Sequence, residues 1–350
     1  MTNFEPSVIA IMKLVRSVKT SMKDSTAKTY TRMLRRLFDH LSDKGKDMTL
    51  EKDIMPKCLL NVEDMLKDIE ETYKKDNTKK NQLSFMLTLM RCYIGEDYEK
   101  DDLYKGYRKA FDIIKASNHS KQELQEPTGD EIHLKGVDMD QCERALSHHF
   151  NKVRGAKSKN IKSAMLNMLG HLHCDQVLRN EAHNMMLSKH YLQEEHYPNT
   201  NFIWVKGRNV KMMVIRNNKV RNPELDGYKP KEEILRGKVN TAINKYIQVL
   251  TNVYGEYGNI VPLVHSKNWS AETCSLDCYC ISSSTYSQLF KDIWAHKFEN
   301  FSLTTTLLRK VYAMDVRDKY KGNLVKEKIA LNKLDHSAET HNLHYIVNFD

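Results

Sequence analysis

Between Tyr30 and Leu41 the apolar residues Tyr30, Met33, Leu34, Leu37, Phe38 and Leu41 recur with a period near 3.6, while Lys28, Arg32, Arg35 and Arg36 fall off that stripe. The spacing predicts a helix capped by Ser25 or Thr26, with one packed face and one basic face. Similar patterns run from about Asn61 to Tyr73, Thr78 to Ile94 and Leu103 to Ile114, so residues 1–116 read as helical throughout, a bundle of four or five short helices. The pattern then lapses. Residues 117–130 are polar, contain Pro127 and Gly129, and carry no apolar stripe, which predicts a linker.

Beyond the linker, residues 131–350 mix periods. Helical spacing returns at about Asp138 to Lys152 and Ser158 to His173. Phe202-Ile203-Trp204-Val205 and Met212-Met213-Val214-Ile215 are β-prone runs separated by Lys206 to Lys211, a hairpin signature. Helices are again expected at about Lys231 to Tyr254, Thr285 to Lys297, Thr304 to Lys319 and Leu324 to Leu331. The fold class is therefore mainly α with a small β-hairpin or sheet, in two domains, each long enough to bury a core.

Composition narrows the partners. The chain has 350 residues, 40% hydrophobic and 29% charged, without an apolar run of the roughly 20 residues that span a bilayer or a signal-peptide core. The expected location is cytoplasm or nucleus, in a host cell if the gene is viral; richness in Lys, Asn, Met and Tyr is compatible with an AT-rich viral or mobile genome. A net charge of +10, from 55 Lys and Arg against 45 Asp and Glu, favours a polyanion. The seven cysteines fit reduced thiols; Cys274, Cys278 and Cys280, with His265 nearby, lack a common zinc spacing and read as a thiol cluster rather than a metal site.

The candidate chemistry lies in Arg179, Lys206, Thr306, Arg309, His336 and Tyr345. A phosphodiester attacked by oxygen gains negative charge at phosphorus, and fixed cations lower that barrier without a metal. Arginine grips two phosphate oxygens with one planar fork. A free phenol has a pKa near 10, so using Tyr345 as nucleophile at pH 7 carries a penalty of roughly 4 kcal/mol that cations and a histidine must offset. A lysine on a hairpin suits proton donation to a departing alkoxide. Taken singly, each residue has a plainer reading: a core or surface tyrosine, a hairpin lysine, an ion-paired arginine, a helix-capping histidine.

The order Arg, Lys, polar-x-x-Arg, His, Tyr, with nine positions from His336 to Tyr345, resembles the tyrosine recombinase (phage-integrase) family. Leu334-Asp335-His336-Ser337 resembles its Leu-Gly-His-Ser motif, and the segment from Ser25 to Phe38 resembles the opening helix of its core-binding domain. The resemblance implies a helical, SAM-like core-binding domain, an α+β catalytic domain, and a C-shaped clamp around double-stranded DNA. It implies that Arg179 and Arg309 clamp the scissile phosphate, Lys206 is general acid, His336 assists, and Tyr345 forms a 3′-phosphotyrosyl bond. Neither metal nor ATP is required, Lys28, Arg32, Arg35 and Arg36 would meet DNA, and a homo-tetramer would assemble on DNA from free monomers or dimers.

The chain departs from the family pattern at three points. Thr306 stands where the family has His, Ala182 where it has an acid, and five residues follow Tyr345. A type IB topoisomerase shares the catalytic set, but the short helical N-terminal domain argues against it. A weakened relative that binds or packages DNA is the reading from another class.

Overall fold

A computed structural model describes the chain apart from residues 1–4, 21, 23, 52–54, 124–126, 128, 209, 218–228, 256–257, 265–280, 335–344, 346 and 348–350. The chain divides into two compact units, Met1–Leu124 and Gln125–Asp350. The architecture is mainly helical with a small mixed sheet.

The first unit holds α1 (Glu5–Val18), α2 (Asp24–Asp43), α3 (Val62–Thr72), α4 (Asp76–Ile94) and α5 (Asp102–Glu123). Leu34, Leu37, Phe38 and Leu41 of α2 are buried against Val8, Ile11 and Val15 of α1 and the apolar side of α4, as the 3.6 spacing requires. Lys28, Arg32, Arg35 and Arg36 stay exposed. Three expectations are corrected. The α2 helix starts at Asp24, so Ser25 and Thr26 lie inside it. The unit is not helical throughout, because β1 (Leu50–Glu51) and β2 (Met55–Pro56) pair antiparallel. The polar stretch from residue 117 is not a linker at its start: α5 continues to Glu123, since Lys, Gln and Glu are good helix formers that need no apolar stripe.

In the second unit α6 (Met139–Ala145) and α7 (Ser147–Val153) replace the single helix expected at 138–152, broken at Leu146. Leu146 packs on α8 (Ile161–Gln176) where that helix carries Gly170; a Cβ there would lie 2.3 Å from Leu146 Cδ2, so only glycine allows the approach. The α8 helix is buried on nearly every side, from Ser163 to Gly170 without interruption. It is the axis of the unit and packs against α9 (Gly237–Tyr254).

The expected hairpin forms, within a larger sheet. Strands β3 (Met186–Ser188), β4 (Phe202–Lys206), β5 (Val210–Ile215), β6 (Lys231–Leu235) and β7 (Ile260–Pro262) take the order β6-β5-β4-β3-β7, with β3 and β4 parallel and the other neighbours antiparallel. Lys206 pairs with Val210, so it ends β4 instead of lying in a long turn, and Gly207 at φ 73° supplies the left-handed backbone that closes so short a connection. Residues 231–235 were expected to be helical. Pairing with β5 overrides the helix preference of Lys-Glu-Glu, and the helix begins only at Gly237. The remaining helices are α10 (Ser283–Lys291), shorter than the expected 285–297, then α11 (Thr305–Lys319) and α12 (Leu324–Leu331). Among the described residues no helix is long and apolar enough to cross a membrane.

Candidate active site

The α11 helix organises the site. Thr304 caps it, accepting from Leu307 N at 3.2 Å, which starts the helix so that Thr306 lies exposed in its first turn and Arg309 one turn further in. Arg309 is only 3% exposed. Its Nη1 donates to Val177 O at 2.6 Å, its Nη2 to Leu334 O, and its Nε to the Tyr345 hydroxyl at 3.3 Å. The guanidinium carbon is also 5.3 Å from the centre of the Tyr345 ring. A single side chain thus gathers three chain segments: the end of α8, the turn after α12, and the C-terminal tyrosine.

Tyr345 is 9% exposed and belongs to a small apolar cluster with Val177, Ala313 and Leu334. Val177 ends α8 in the left-handed region, at φ 49° and ψ 40°, a conformation that costs a β-branched residue roughly 1–3 kcal/mol. Its buried side chain and its carbonyl, held by Arg309, keep it there. Beneath the same helix end, His173 is fully buried, with Nε2 2.6 Å from the Tyr286 hydroxyl. Burial, helped by the charge of Arg309, pushes its pKa down to about 3, so the imidazole there is neutral.

Arg179 follows two residues after Val177 and is half-buried. Its next neighbour, Asn180, opens a short 3₁₀ turn and knots three elements together. Asn180 Nδ2 donates to Ser283 and Ser287 of α10, both at 3.2 Å, and its Oδ1 accepts from Thr305 Oγ1 of α11 at 3.0 Å. Arg179 is therefore bracketed, with Val177 tied to Arg309 on one side and Asn180 tied to Thr305 on the other.

Sequence-predicted residues fare differently. Arg309 and Tyr345 are in direct contact, Thr306 shares the helix of Arg309, and Arg179 is fastened to that helix through its neighbours. Lys206 is exposed at the end of β4, its Nζ 5.3 Å from the centre of the Trp204 ring. His336 lies outside the described residues, as do Cys274, Cys278, Cys280 and His265. Among the described residues no three or more His, Cys, Asp or Glu side chains form a group that could hold a metal. Sequence reasoning missed Asn180, Thr305 and Val177. An asparagine directly after the candidate arginine was a usable signal, because Asn bonds local backbone and side chains where helices begin; nothing in the sequence marked Val177.

Comparison with known proteins adds no relative: no family model and no curated protein sequence matches the chain.

Proposed function

We propose that the protein cuts and rejoins DNA as a site-specific recombinase or integrase, through a covalent bond between Tyr345 and a 3′-phosphate. The observation that carries this reading is the burial of the Tyr345 hydroxyl against Arg309, far apart in sequence, with Arg179 fastened to the same helix. In the reaction the Tyr345 oxygen attacks phosphorus and gives up its proton, with His336 as acceptor. The bond to the 5′-oxygen breaks, and Lys206 supplies the proton that oxygen takes. Arg179 and Arg309 hold the non-bridging oxygens as their charge grows. The bond energy stays in the phosphotyrosine, so rejoining needs no ATP. The partner is double-stranded DNA, with four protomers for strand exchange.

Arg309 already spends Nε on the phenol, so an incoming phosphate shares or replaces a contact that preorganises the nucleophile. Thr306 contributes a hydroxyl instead of a charge where the family has a histidine, which favours slower chemistry. The burial of the Tyr345 ring among Val177, Ala313 and Leu334 gives some weight to a second reading, a DNA-binding relative in which the tyrosine is only an anchor.

Nicked duplexes with a randomised central sequence separate the two. The enzyme reading expects a denaturation-resistant protein–DNA adduct with the natural chain and none with Tyr345→Phe. An adduct that survives Tyr345→Phe, or no adduct with the natural chain over the whole pool, removes it.

A further inference from the structure

The turn that follows Lys206 is built around a second lysine, Lys211, which faces Val205 across the hairpin. Lys211 is 0% exposed. Its Nζ donates to Gly207 O at 3.1 Å, to Arg208 O, and to Asn244 Oδ1 of α9 at 2.7 Å. Asn244 completes the loop by donating from Nδ2 to Arg208 O at 3.0 Å. An ammonium has three donors, and these acceptors match all three. Lys211 closes the turn, and Asn244 pins it to the helix beside it.

Such an arrangement is an expensive way to hold a hairpin. Taking an ammonium out of water costs several kcal/mol, and an apolar side chain of similar volume would often serve stability as well. Burial, with the nearby charge of Arg208, lowers the pKa of Lys211, which records that cost. What a methionine could not do is fix the direction of two successive carbonyls and an amide oxygen at once. The segment so fixed begins at the residue after Lys206. A proton donor must come within about 2.6–3.2 Å of the oxygen it serves, and a displacement of about 1 Å can cost on the order of a hundredfold in rate.

We infer that Lys211 and Asn244 are positioning residues for Lys206, holding the β4–β5 turn on α9 so that the exposed Lys206 amine is presented to the leaving 5′-oxygen. The inference rests on the recombinase reading and concerns one step of it. Lys211 itself, closed off from solvent by its own turn, touches no substrate.

The test compares single-turnover adduct formation on two nicked duplexes, one with oxygen and one with sulfur at the bridging 5′ position. When the P–S bond breaks the sulfur leaves as a thiolate, which at a thiol pKa of about 8.5 needs little help from a proton donor. Lys206→Ala should be slow on the oxygen duplex and close to the natural chain on the sulfur duplex. Lys211→Met should be about 10- to 100-fold slow on oxygen and within about threefold of the natural chain on sulfur. Asn244→Ala, at a half-buried position, should repeat the pattern at about fivefold.

Equal slowing of Lys211→Met and Asn244→Ala on both duplexes would mean general damage and overturn the inference. Unchanged rates on both would also overturn it. If sulfur fails to restore Lys206→Ala, Lys206 is not the proton donor and the inference falls with that role, while the adduct itself still upholds the recombinase reading. If the natural chain forms no adduct on either duplex, it is the recombinase reading that fails.

Discussion

In the first unit the buried Lys79 is paired with Glu70, and the buried Asp68 with Lys44 and Lys46. In the second unit Lys211, Arg216 and Arg309 are buried, and the partners described for them are neutral. They are backbone carbonyls, an asparagine oxygen, the Tyr191 and Phe202 rings beside Arg216, and the Tyr345 phenol. The second unit can also neutralise a cation, since Lys310, next to Arg309, is paired with Glu131. A carboxylate cancels the charge it holds, whereas carbonyl dipoles fix a cation in place and leave its field for an arriving anion. Holding a cation among dipoles in this way has a desolvation cost.

The largest effect is expected at Arg309. Arg309→Ala should lower adduct formation by more than about 10³-fold, the scale on which removing a preorganised electrostatic contact acts. Duplex affinity should stay within about threefold, because phosphate contacts spread over the protein supply most binding. Arg309→Lys keeps a positive charge but loses the fork that reaches Val177, Leu334 and Tyr345 together, and should recover little of the rate. A rate loss matched by an equal loss of binding would show that Arg309 is a binding residue rather than a catalytic one.

The fold was legible wherever one face of an element is buried. The stripe on α2 could be read because burial imposes a period, and β4 and β5 because both are short apolar, β-prone runs on either side of a turn. Residues 231–235 were misread because strand pairing, which sequence does not display, outweighed local preference. The helix end after Ile114 was misread because a solvated helix needs no pattern at all. At the site, Arg309 and Tyr345 could be named through motif order, yet their contact depends on the path of the chain from Leu334 to Tyr345. The roles of Asn180 and Lys211 could not be read because their partners, Thr305, Ser283 and Asn244, come from distant segments; sequence gives residue types but not which amide meets which hydroxyl.

Acid should sharpen the same contrast at a smaller scale. Among the described residues, the histidines whose pKa is pushed down, chiefly by burial, are His149, His171, His173 and His296, all in the second unit. An unfolded imidazole takes its proton near 6.5, whereas burial lowers His149 to about 4 and His173 to about 3. Stability from these two is therefore complete above about pH 6.5 and is lost as the pH falls toward their lowered values, by at most ~1.4 kcal/mol per pH unit for each. At pH 5 the second unit should be weaker by about 2–4 kcal/mol than at pH 7. Hydrogen exchange at the two pH values reads this by segment: α8 and α9 should lose protection before α2 and α4. The reverse order would show that the buried histidines do not govern the acid response.

The smallest effects are expected at Lys28, Arg32, Arg35 and Arg36, which lie exposed along α2 and so have little desolvation to recover. Changing each to Gln should alter stability by no more than about 0.5 kcal/mol, the usual range for a surface substitution. On DNA the same changes should act through counterions, each that faces a phosphate reducing the slope of log affinity against log salt by about 0.9. Arg309→Ala should leave that slope nearly unchanged while stopping the chemistry. Binding titrations between low and physiological salt, run beside adduct assays on the same proteins, measure both quantities. If the fourfold α2 variant keeps the natural slope, this face does not lie on DNA, and the exposed cations of the first unit are solvation rather than a docking surface. If it keeps the cleavage rate at saturating DNA while losing slope, the division holds: the first unit spends charge on reaching the polyanion, and the second keeps its charge for the phosphate being cut.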